Sequence, residues 1–267
     1  MIALPPTWFV GCGNMAGALI EGWQKADVDF SEAIAVRPSG RQVEGVRTVT
    51  FLPDGPPLRC VLGFKPQLLG VIAPELSPKL SPDTVLVSML AGVEAATLRG
   101  LFPHVQSVVR IMPNLPVGER LGVVALYSQD ADPDLRKRMK ALFGLIGLAV
   151  WTQAETNLAA IGSVAGAGPA YVARFIAALA RAGEQQGLSP DVADKVALQT
   201  VLGTATMAGA RGETMADVAR RVASPKGTTE AGLAVLDADG ALDRLIAETI
   251  EAAARRGAEL AAAARKP

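Results

Sequence analysis

The chain has 267 residues, 50% of them hydrophobic, and its 26 basic and 26 acidic residues give a formal net charge of zero. A neutral chain has no electrostatic footprint for nucleic acid or for an anionic membrane surface, so we exclude both as partners. Its cysteines, Cys12 and Cys60, are too few for a disulfide framework, and we expect buried thiols in a cytoplasmic protein. This length permits one large core or two ordinary ones, and we expect two domains.

Two uncharged stretches have a composition close to that of export or membrane segments. Residues 1–20 lack the positive flank of a signal peptide and contain prolines and glycines, so they predict a strand that runs into a loop. Residues 156–173 are interrupted by Gly162, Gly166, Gly168 and Pro169, which is unsuited to a continuous lipid-facing helix. We therefore expect a protein that is neither exported nor inserted into a membrane.

Short apolar runs alternate with helical segments over the first part of the chain, a pattern typical of a parallel sheet covered by helices. We predict strands at 8–10, 33–36, 60–63, 84–88, 107–112 and 123–126. From residue 155 onward the strand signals stop, and apolar residues between 242 and 253 recur at the spacing of one helix face. The expected fold is an α/β Rossmann-type domain with a mostly parallel sheet, residues 1–153, followed by an all-α domain, residues 154–267.

The first predicted strand runs straight into Gly11-Cys12-Gly13-Asn14-Met15-Ala16, which matches the pattern G-x-G-x-x-G/A. Gly11 permits a tight turn, Gly13 lets the backbone approach a pyrophosphate, and Ala16 keeps the next helix close to the sheet. A glycine-rich turn that binds nothing is the alternative, because the motif alone is weak. Its position between a strand and a helix favours a dinucleotide, and we assign Gly11, Gly13, Asn14 and Met15 to cofactor binding.

The residues after the second predicted strand decide which dinucleotide is preferred. An acidic residue there would bond the adenine ribose 2′-hydroxyl and repel a 2′-phosphate. This chain has Arg37, Ser39 and Arg41 in that place, and no acidic residue until Glu44. A guanidinium and a hydroxyl suit a phosphate, so we predict that Arg37 and Ser39 bind NADPH, with NADH as the alternative cofactor. Solvated arginines on a surface turn are the structural alternative.

The loops after the following strands contain further candidates, because loops at the carboxyl ends of parallel strands line the ligand crevice. Lys65 and Pro66 follow the third of these strands, and Ala91 and Gly92 follow the fourth. Asn114 ends the next strand, where its amide can orient a ligand or a neighbouring loop. We assign these residues to the cofactor site, while a purely structural role stays open for Lys65 and Asn114.

His104 is the one histidine of the chain, and it follows a proline in a predicted surface connection. The histidine that many dehydrogenases use to move the alcohol proton is therefore not evident. Neither a second histidine nor paired cysteines occur at metal-ligand spacing, so we predict no metal site. These features favour a hydride acceptor that needs little acid catalysis, such as an imine rather than a ketone.

A hydroxyl-rich turn, Ala223-Ser224-Pro225-Lys226-Gly227-Thr228-Thr229, interrupts the alanine-rich C-terminal part of the chain. Such a turn at a helix start presents backbone N–H groups and hydroxyls to an anion, so it can hold a small carboxylate. The alternative is a capped helix start without a ligand, because serine and threonine are favoured at such positions on their own.

The motifs in chain order are G-C-G-N-M-A, F-K-P-Q, A-G-V, R-I-M-P-N-L-P, G-A-G-P-A-Y, Q-T-V-L-G, A-S-P-K-G-T-T and A-A-A-R-R-G-A-E-L. In this order, and over nearly the whole chain, they resemble the pyrroline-5-carboxylate reductase family. The resemblance implies an NAD(P)H-dependent oxidoreductase that reduces 1-pyrroline-5-carboxylate to L-proline by hydride transfer to the imine carbon.

The resemblance also implies roles for the C-terminal domain, which would serve dimerisation and substrate binding. Ser224, Gly227, Thr228 and Thr229 are the implied substrate-binding residues, with Ser224 shaping the turn. Thr229 matches the position that hydrogen-bonds the ring nitrogen, which makes it the catalytic candidate. Extensive apolar faces on predicted helices at 192–208 and 241–264 predict intertwined dimerisation. The expected assembly is a homodimer or a larger homo-oligomer built from dimers.

Some positions depart from the family's usual pattern. Ala165 and Ala167 replace serines before G-P-A-Y, Leu115 replaces a common threonine, and Lys226 stands where glycine is usual. Lys226 either adds a cation near the substrate carboxylate or points into solvent. Two alternative functions therefore stay open: a related NADPH-dependent reductase of another cyclic imine or of a hydroxy or keto acid, and a non-catalytic dinucleotide-binding protein.

Overall fold

A computed structural model describes residues 2–264, with no description of the side chains at 260, 261, 263 and 264. The chain divides into two compact units. The sheet unit comprises the residues up to Ala167 together with the chain from Ala253 onward, and the helical unit is Gly168–Ala252. The expected domain boundary, between residues 153 and 154, lies N-terminal to the division between Ala167 and Gly168 and stays a prediction.

The secondary structure of the described residues begins with strands and ends with helices. The strands are β1 (Ile2–Ala3), β2 (Thr7–Val10), β3 (Val28–Asp29), β4 (Ala33–Val36), β5 (Arg47–Val49), β6 (Arg59–Leu62), β7 (Val85–Ser88), β8 (Ser107–Pro113), β9 (Gly122–Tyr127) and β10 (Gly147–Trp151). The α-helices are α1 (Asn14–Gln24), α2 (Leu69–Leu76), α3 (Ala95–Leu101), α4 (Pro133–Gly144), α5 (Thr156–Ile161), α6 (Gly168–Gln185), α7 (Pro190–Arg211), α8 (Met215–Val222), α9 (Thr228–Asp237) and α10 (Ala241–Ala264). Short 3-10 turns occupy Pro66–Leu68, Ser77–Lys79, Leu115–Glu119 and Ala238–Gly240, and a π-helical turn occupies Gly162–Gly166.

An eight-stranded sheet in the order β10-β9-β8-β7-β6-β2-β4-β5 lies at the centre of the sheet unit. All neighbouring strands are parallel except β8 and β9, which are antiparallel. From β2 the chain adds β4 and β5 on one side, then β6, β7 and β8 on the other, so the strand order reverses beside β2. Ligand crevices of such sheets lie outside the carboxyl ends of the strands at this reversal.

The central strands have a core on each face, because successive side chains of a strand point to opposite faces. On β2, Phe9 belongs to the core that includes buried side chains of α1 and α4, whereas Trp8 and Val10 belong to the core that includes those of α2 and α3. Leu19 of α1 and Leu76 of α2 are completely buried examples of the two covering layers. Strands buried on both faces have continuous apolar sequences, which is why composition predicts them well.

The predicted strands are confirmed as β2, β4, β6, β7, β8 and β9, with ends that differ by no more than 1 residue. The two-residue strands β1 and β3, and the sheet-edge strands β5 and β10, were not predicted. An edge strand has a weaker apolar pattern, because only one of its sides is paired with another strand. On β10, for example, Leu148 is 61% exposed. His104 is exposed in the connection between α3 and β8. No strand occurs beyond Trp151 in the described part of the chain.

The helical unit has a small core between α6 and α7. Ala180, Ala193 and Ala197 are buried there, with Ile176 packed against them. Alanine side chains bury little apolar area, and larger apolar side chains of the unit remain exposed. These include Val172, Phe175, Leu179, Val192, Val196, Leu198 and Leu202. The helical unit therefore presents an extensive apolar surface.

One stretch of the described residues, Thr156–Gln185, is long and apolar enough to cross a membrane by length and composition alone. The π-helical turn at Gly162–Gly166 interrupts its regular α-helical pattern. The part that forms α6 carries Arg174, Arg181 and Glu184. The interruption agrees with the expectation that these glycines disturb a continuous α-helix.

Candidate active site

The glycine-rich turn joins β2 to α1 at the carboxyl edge of the sheet. Gly11 has a positive φ of 77°, and its N–H donates to the Val36 carbonyl at 3.0 Å. A Cβ added to Gly11 would lie 2.8 Å from the backbone nitrogen of Phe64. Both the left-handed conformation and the lack of space therefore require glycine at position 11.

Gly13 immediately precedes α1, and no side chain caps this helix start. A Cβ added to Gly13 would meet no atom within 4 Å, so packing within the described chain does not require glycine there. A ligand would require it, since dinucleotide-binding turns use a missing side chain to bring the backbone against pyrophosphate. The open space at Gly13 and the uncapped N–H groups at the start of α1, which begins at Asn14, fit a pyrophosphate.

The first turn of α1 packs closely against the sheet. Ala16 is buried, and a Cβ added to Gly63 at the end of β6 would stand 3.2 Å from the Cβ of Ala16. A larger residue at either position would separate the helix from the sheet, as the sequence motif predicts for Ala16. The side chain of Met15 packs against the core beneath α1, which leaves its backbone N–H in the uncapped first turn.

A cleft of about 390 Å³ opens beside this turn. Gly13 and Asn14 line it from the start of α1, and Arg37 and Arg41 line it from the loop after β4. In the described part of the chain, neither guanidinium has an ion pair or a hydrogen bond with another side chain. Glu44 lines the same cleft without pairing with either arginine. Two unpaired guanidinium groups beside a pyrophosphate-sized opening suit a further phosphate group.

The turn that carries the arginines has its own local support. Gly40 has a positive φ of 66°, and the Ser39 hydroxyl oxygen accepts a hydrogen bond from the Arg41 N–H at 3.4 Å. Nearby, burial raises the pKa of the Cys12 thiol, and the positive charge of Arg37 opposes this rise. The Ser39 hydroxyl therefore stabilises the conformation of this loop. The raised pKa of the Cys12 thiol means that it is not an activated nucleophile.

The loops after β6 and β7 lie at the same carboxyl edge. Lys65 is exposed, and its carbonyl oxygen accepts a hydrogen bond from the Leu68 N–H at 2.9 Å in the 3-10 turn that begins at Pro66. Ala91 is exposed, and Gly92 has a positive φ of 75°. The topology thus brings these four candidates to the edge that also holds Gly11 and Gly13.

Asn114 is buried at the end of β8, where both ends of its amide contact backbone. Its Nδ2 donates to the Ala165 carbonyl at 3.0 Å, and its Oδ1 accepts from the Val123 N–H at 2.8 Å. The side chain therefore ties the end of β8 to the start of β9 and to the π-helical turn. This supports the structural alternative for Asn114, although one of its two amide hydrogens is not used by these bonds.

Sequence reasoning missed a buried ion pair at the sheet. Arg110, on β8, has a side chain only 9% exposed, and its Nη1 lies 2.6 Å from Glu155 Oε1. The same carboxylate oxygen accepts a hydrogen bond from the Ala95 backbone N–H at 2.7 Å, in the first turn of α3. An arginine within the apolar run S-V-V-R-I-M-P is the signal that was overlooked, because a buried charge needs a partner.

The substrate-loop candidates lie in the helical unit, where Gly227 precedes α9. The Gly227 N–H donates to the Ser224 carbonyl at 3.0 Å, and a Cβ added to Gly227 would stand 2.4 Å from the Ser224 hydroxyl oxygen. Gly227 therefore shapes the turn, and its N–H is already used by the chain. The substrate-binding role implied for Gly227 stays a prediction.

Lys226 occupies the left-handed region, with a φ of 59°. Glycine adopts this conformation without steric cost, which is the physical reason for a glycine at such a position. The Lys226 N–H donates to the carboxylate of Glu230, in the first turn of α9. In the described chain, its ammonium group forms no ion pair.

The first turn of α9 has unused donors. Gly227 provides no side-chain cap, so the N–H groups of Thr228 and Thr229 have no intrahelical partner. Neither threonine hydroxyl forms a hydrogen bond with another described residue. Thr229 is half-buried and Thr228 is exposed. This arrangement can receive a small anion, because helix N-termini combine free N–H groups with a favourable dipole.

Comparisons with known proteins point to one family. A model of the pyrroline-5-carboxylate reductase dimerisation domain matches residues 155–260. A pyrroline-5-carboxylate reductase of Pseudomonas aeruginosa is 34% identical over 269 residues, which cover 97% of this chain and 98% of that protein. The solved structure of a pyrroline-5-carboxylate reductase from Coxiella burnetii is 29% identical, with a TM-score of 0.86 over 96% of this chain and 98% of that one. A Plasmodium falciparum pyrroline carboxylate reductase solved with NADP bound shares the fold, with a TM-score of 0.82, 22% identity and the same coverage of 96% and 98%.

Proposed function

Because the chain belongs to the pyrroline-5-carboxylate reductase family, we propose that it reduces 1-pyrroline-5-carboxylate to L-proline in proline biosynthesis. A hydride is added to the imine carbon C5 and a proton to the ring nitrogen, so that the C=N bond becomes a single bond. NADPH supplies the hydride when it is bound. Within the chain, the observation that carries this proposal is the open turn at Gly13 beside the unpaired Arg37 and Arg41.

The cofactor's phosphates are held by the start of α1 and by the loop after β4. Backbone N–H groups of Asn14 and Met15 donate to the pyrophosphate, which the open space at Gly13 admits. Arg37 binds the 2′-phosphate from a turn that Ser39 supports, and Arg41 adds a second positive charge. This charge arrangement supports NADPH over NADH, because NADH would leave both guanidinium groups without a phosphate.

The nicotinamide half is bordered by the loops after β6 and β7. Lys65, Pro66, Ala91 and Gly92 belong to these loops, and their contribution is mainly backbone. Asn114 acts on this edge indirectly, since its amide fixes the ends of β8 and β9. We therefore propose Asn114 as a positioning residue.

The substrate carboxylate binds the first turn of α9. The free N–H groups of Thr228 and Thr229 donate to its oxygens, while Ser224 and Gly227 hold the turn. The Thr229 hydroxyl hydrogen-bonds the ring nitrogen and positions or relays the proton that this atom receives. A threonine hydroxyl is a weak acid, so orientation is the larger part of its contribution.

The exposed apolar surface of the helical unit supports a homodimer, from which larger homo-oligomers are built. Phe175 and Leu179 lie one turn apart on α6 and are both exposed. Phe175→Glu should convert the dimer into monomers in light scattering, whereas Leu148→Glu, on the edge strand β10, should not. A dimer that persists in Phe175→Glu would remove this surface from the interface.

The proposed reaction is tested with purified protein, NADPH and 1-pyrroline-5-carboxylate. We expect the reduced nicotinamide to be consumed in step with the appearance of L-proline, measured separately by amino-acid analysis. 1-Pyrroline-2-carboxylate, a six-membered cyclic imine and a hydroxy acid serve as alternative substrates. Faster turnover of any of these would replace the proposed substrate, and NADPH binding without turnover of any of them would indicate a non-catalytic protein.

A further inference from the structure

A second cleft, of about 620 Å³, lies at the amino edge of the sheet. Leu58 and Arg59 line it from the start of β6, and Leu135, Arg138 and Leu142 line it from α4. The cofactor candidates lie at the opposite, carboxyl edge of the same strands. Four-residue strands such as β6 separate the two edges by roughly 13 Å.

Arg59 has an unusual environment for a charged side chain. It is the first residue of β6, and side chains alternate along a strand, so it lies on the same face as Val61. That face is the one that includes buried side chains of α4. The Nε and Nη1 atoms of Arg59 are buried, and neither has a hydrogen-bond partner among the described residues.

Arg138 lies next to this buried guanidinium. Leu135, Arg138 and Leu142 follow the i, i+3, i+7 spacing of one helix face, and the two leucines are buried against the sheet. Arg138 therefore extends from the face of α4 that packs against the sheet. Burial lowers the pKa of Arg59 to about 10, with a further contribution from the positive charge of Arg138, so the Arg59 guanidinium is charged at neutral pH.

Buried guanidinium nitrogens without a partner are costly, and the unpaired Nε and Nη1 of Arg59, with the exposed Arg138 beside them, favour an anion in this cleft. Glu32 and Asp83 also line the cleft, but in the described chain neither is within ion-pair distance of Arg59. The remaining lining is largely apolar. The preferred occupant thus combines an anionic group, for the guanidinium groups, with a hydrocarbon body.

We propose that this cleft is a binding site for a small organic carboxylate with an apolar body. The carboxylate binds Arg59 and Arg138, because two guanidinium groups can supply hydrogen bonds to both of its oxygens. The hydrocarbon part lies against Leu58, Leu135 and Leu142. The site is separate from the proposed reaction and does not depend on it.

The test is a calorimetric titration of the full-length protein with hexanoate, in the presence of saturating NADP⁺. We expect saturable binding to the wild-type protein and binding at least tenfold weaker to Arg59→Met, which replaces the aliphatic stem of the arginine and removes its guanidinium group. The free amino acid leucine has a carboxylate and, in addition, an ammonium group. If leucine binds more tightly than hexanoate, Glu32 or Asp83 binds this ammonium group. Inorganic phosphate should bind more weakly than hexanoate, because it has no apolar part.

Two further variants separate the cleft from other carboxylate sites. Leu58→Trp fills the cleft without changing its charge and should also weaken hexanoate binding at least tenfold. Arg41→Gln, at the opposite edge, should leave hexanoate binding unchanged. Equal binding by the wild type, Arg59→Met and Leu58→Trp would overturn the proposal, and so would phosphate binding as tight as that of hexanoate. If Arg59→Met does not fold, the hexanoate affinities of Leu58→Trp and Arg41→Gln are compared instead, and equal affinities would overturn the proposal.

Discussion

Glu155 Oε1 lies 2.6 Å from Nη1 of the buried Arg110, and the same oxygen accepts a hydrogen bond from the first turn of α3. One carboxylate thus connects the central strand β8, the start of α3 and the segment that leads into α5. A buried arginine without this carboxylate would lose its one ion-pair partner in the described chain. The pair therefore predicts a large loss of stability when Glu155 is truncated.

We expect Glu155→Ala to lower the free energy of unfolding of the sheet unit by about 3 kcal/mol, because it leaves a buried charge unpaired. Urea unfolding followed by tryptophan fluorescence measures this change, since Trp8, Trp23 and Trp151 all belong to the sheet unit. Asp54→Ala is the matched control, because its ion pair with Lys79 is exposed. Asp54→Ala should lower the free energy of unfolding by about 0.5 kcal/mol or less. A similar loss in both variants would contradict the predicted role of Glu155.

Arg41→Gln should raise the KM for NADPH by about tenfold, the loss expected for one charge-assisted hydrogen bond to a phosphate. The KM for NADH should change little, because NADH has no 2′-phosphate. Arg47→Gln is the control, since this exposed arginine on β5 is outside the residues that line the cleft. Steady-state kinetics with both cofactors checks the prediction. An equal effect on the two cofactors would show that Arg41 does not recognise the 2′-phosphate.

Thr229→Ala should lower kcat by about tenfold to hundredfold and leave the KM for NADPH nearly unchanged, because the hydroxyl acts on the substrate nitrogen. Thr229→Ser keeps the hydroxyl and should retain most of the activity. Thr228→Ala tests the neighbouring position, which we expect to affect substrate binding more than turnover. An unchanged kcat in Thr229→Ala would remove this residue from the mechanism.

Lys226→Gly should stabilise the turn before α9 by about 1 kcal/mol, because glycine adopts the left-handed conformation without a Cβ clash. Lys226→Ala removes the charge but keeps the Cβ, so it should show no such gain. Thermal unfolding followed by circular dichroism measures both. If the KM for the substrate rises equally in the two variants, the lysine charge binds the substrate carboxylate. If neither KM changes, the ammonium group points into solvent.

The pKa of the Cys60 thiol is raised by complete burial, which predicts a pH dependence of stability. The folded state keeps this proton, whereas the unfolded thiol loses it above pH of about 8.5. Stability from this group is therefore fully present below that pH and falls above it, by up to about 1.4 kcal/mol per pH unit. Cys60→Ala should flatten the decline between pH of about 8 and 10 in urea titrations. Identical slopes for the two proteins would contradict the raised pKa.

Much of the sheet unit follows from local sequence. Strands buried on both faces have continuous apolar sequences, so β2, β4, β6, β7, β8 and β9 are visible without a structure. The positive φ at Gly11 is equally local, whereas the close approach of Phe64, which also selects glycine there, is a tertiary contact. The edge strands β5 and β10 are not visible, because pairing on one side does not impose a strong apolar pattern.

The sequence by itself determined the Rossmann-type fold, the dinucleotide turn, the arginines after β4 and the hydroxyl-rich start of α9, because these depend on residues close together in the chain. Only the tertiary structure decided which long-range partners the polar groups have. It pairs Arg110 with Glu155, uses the Asn114 amide to hold Ala165, and leaves the buried Nε and Nη1 atoms of Arg59 without a hydrogen-bond partner in the described chain. Such contacts depend on strand register and on the placement of helices, and a local sequence pattern does not specify either of these.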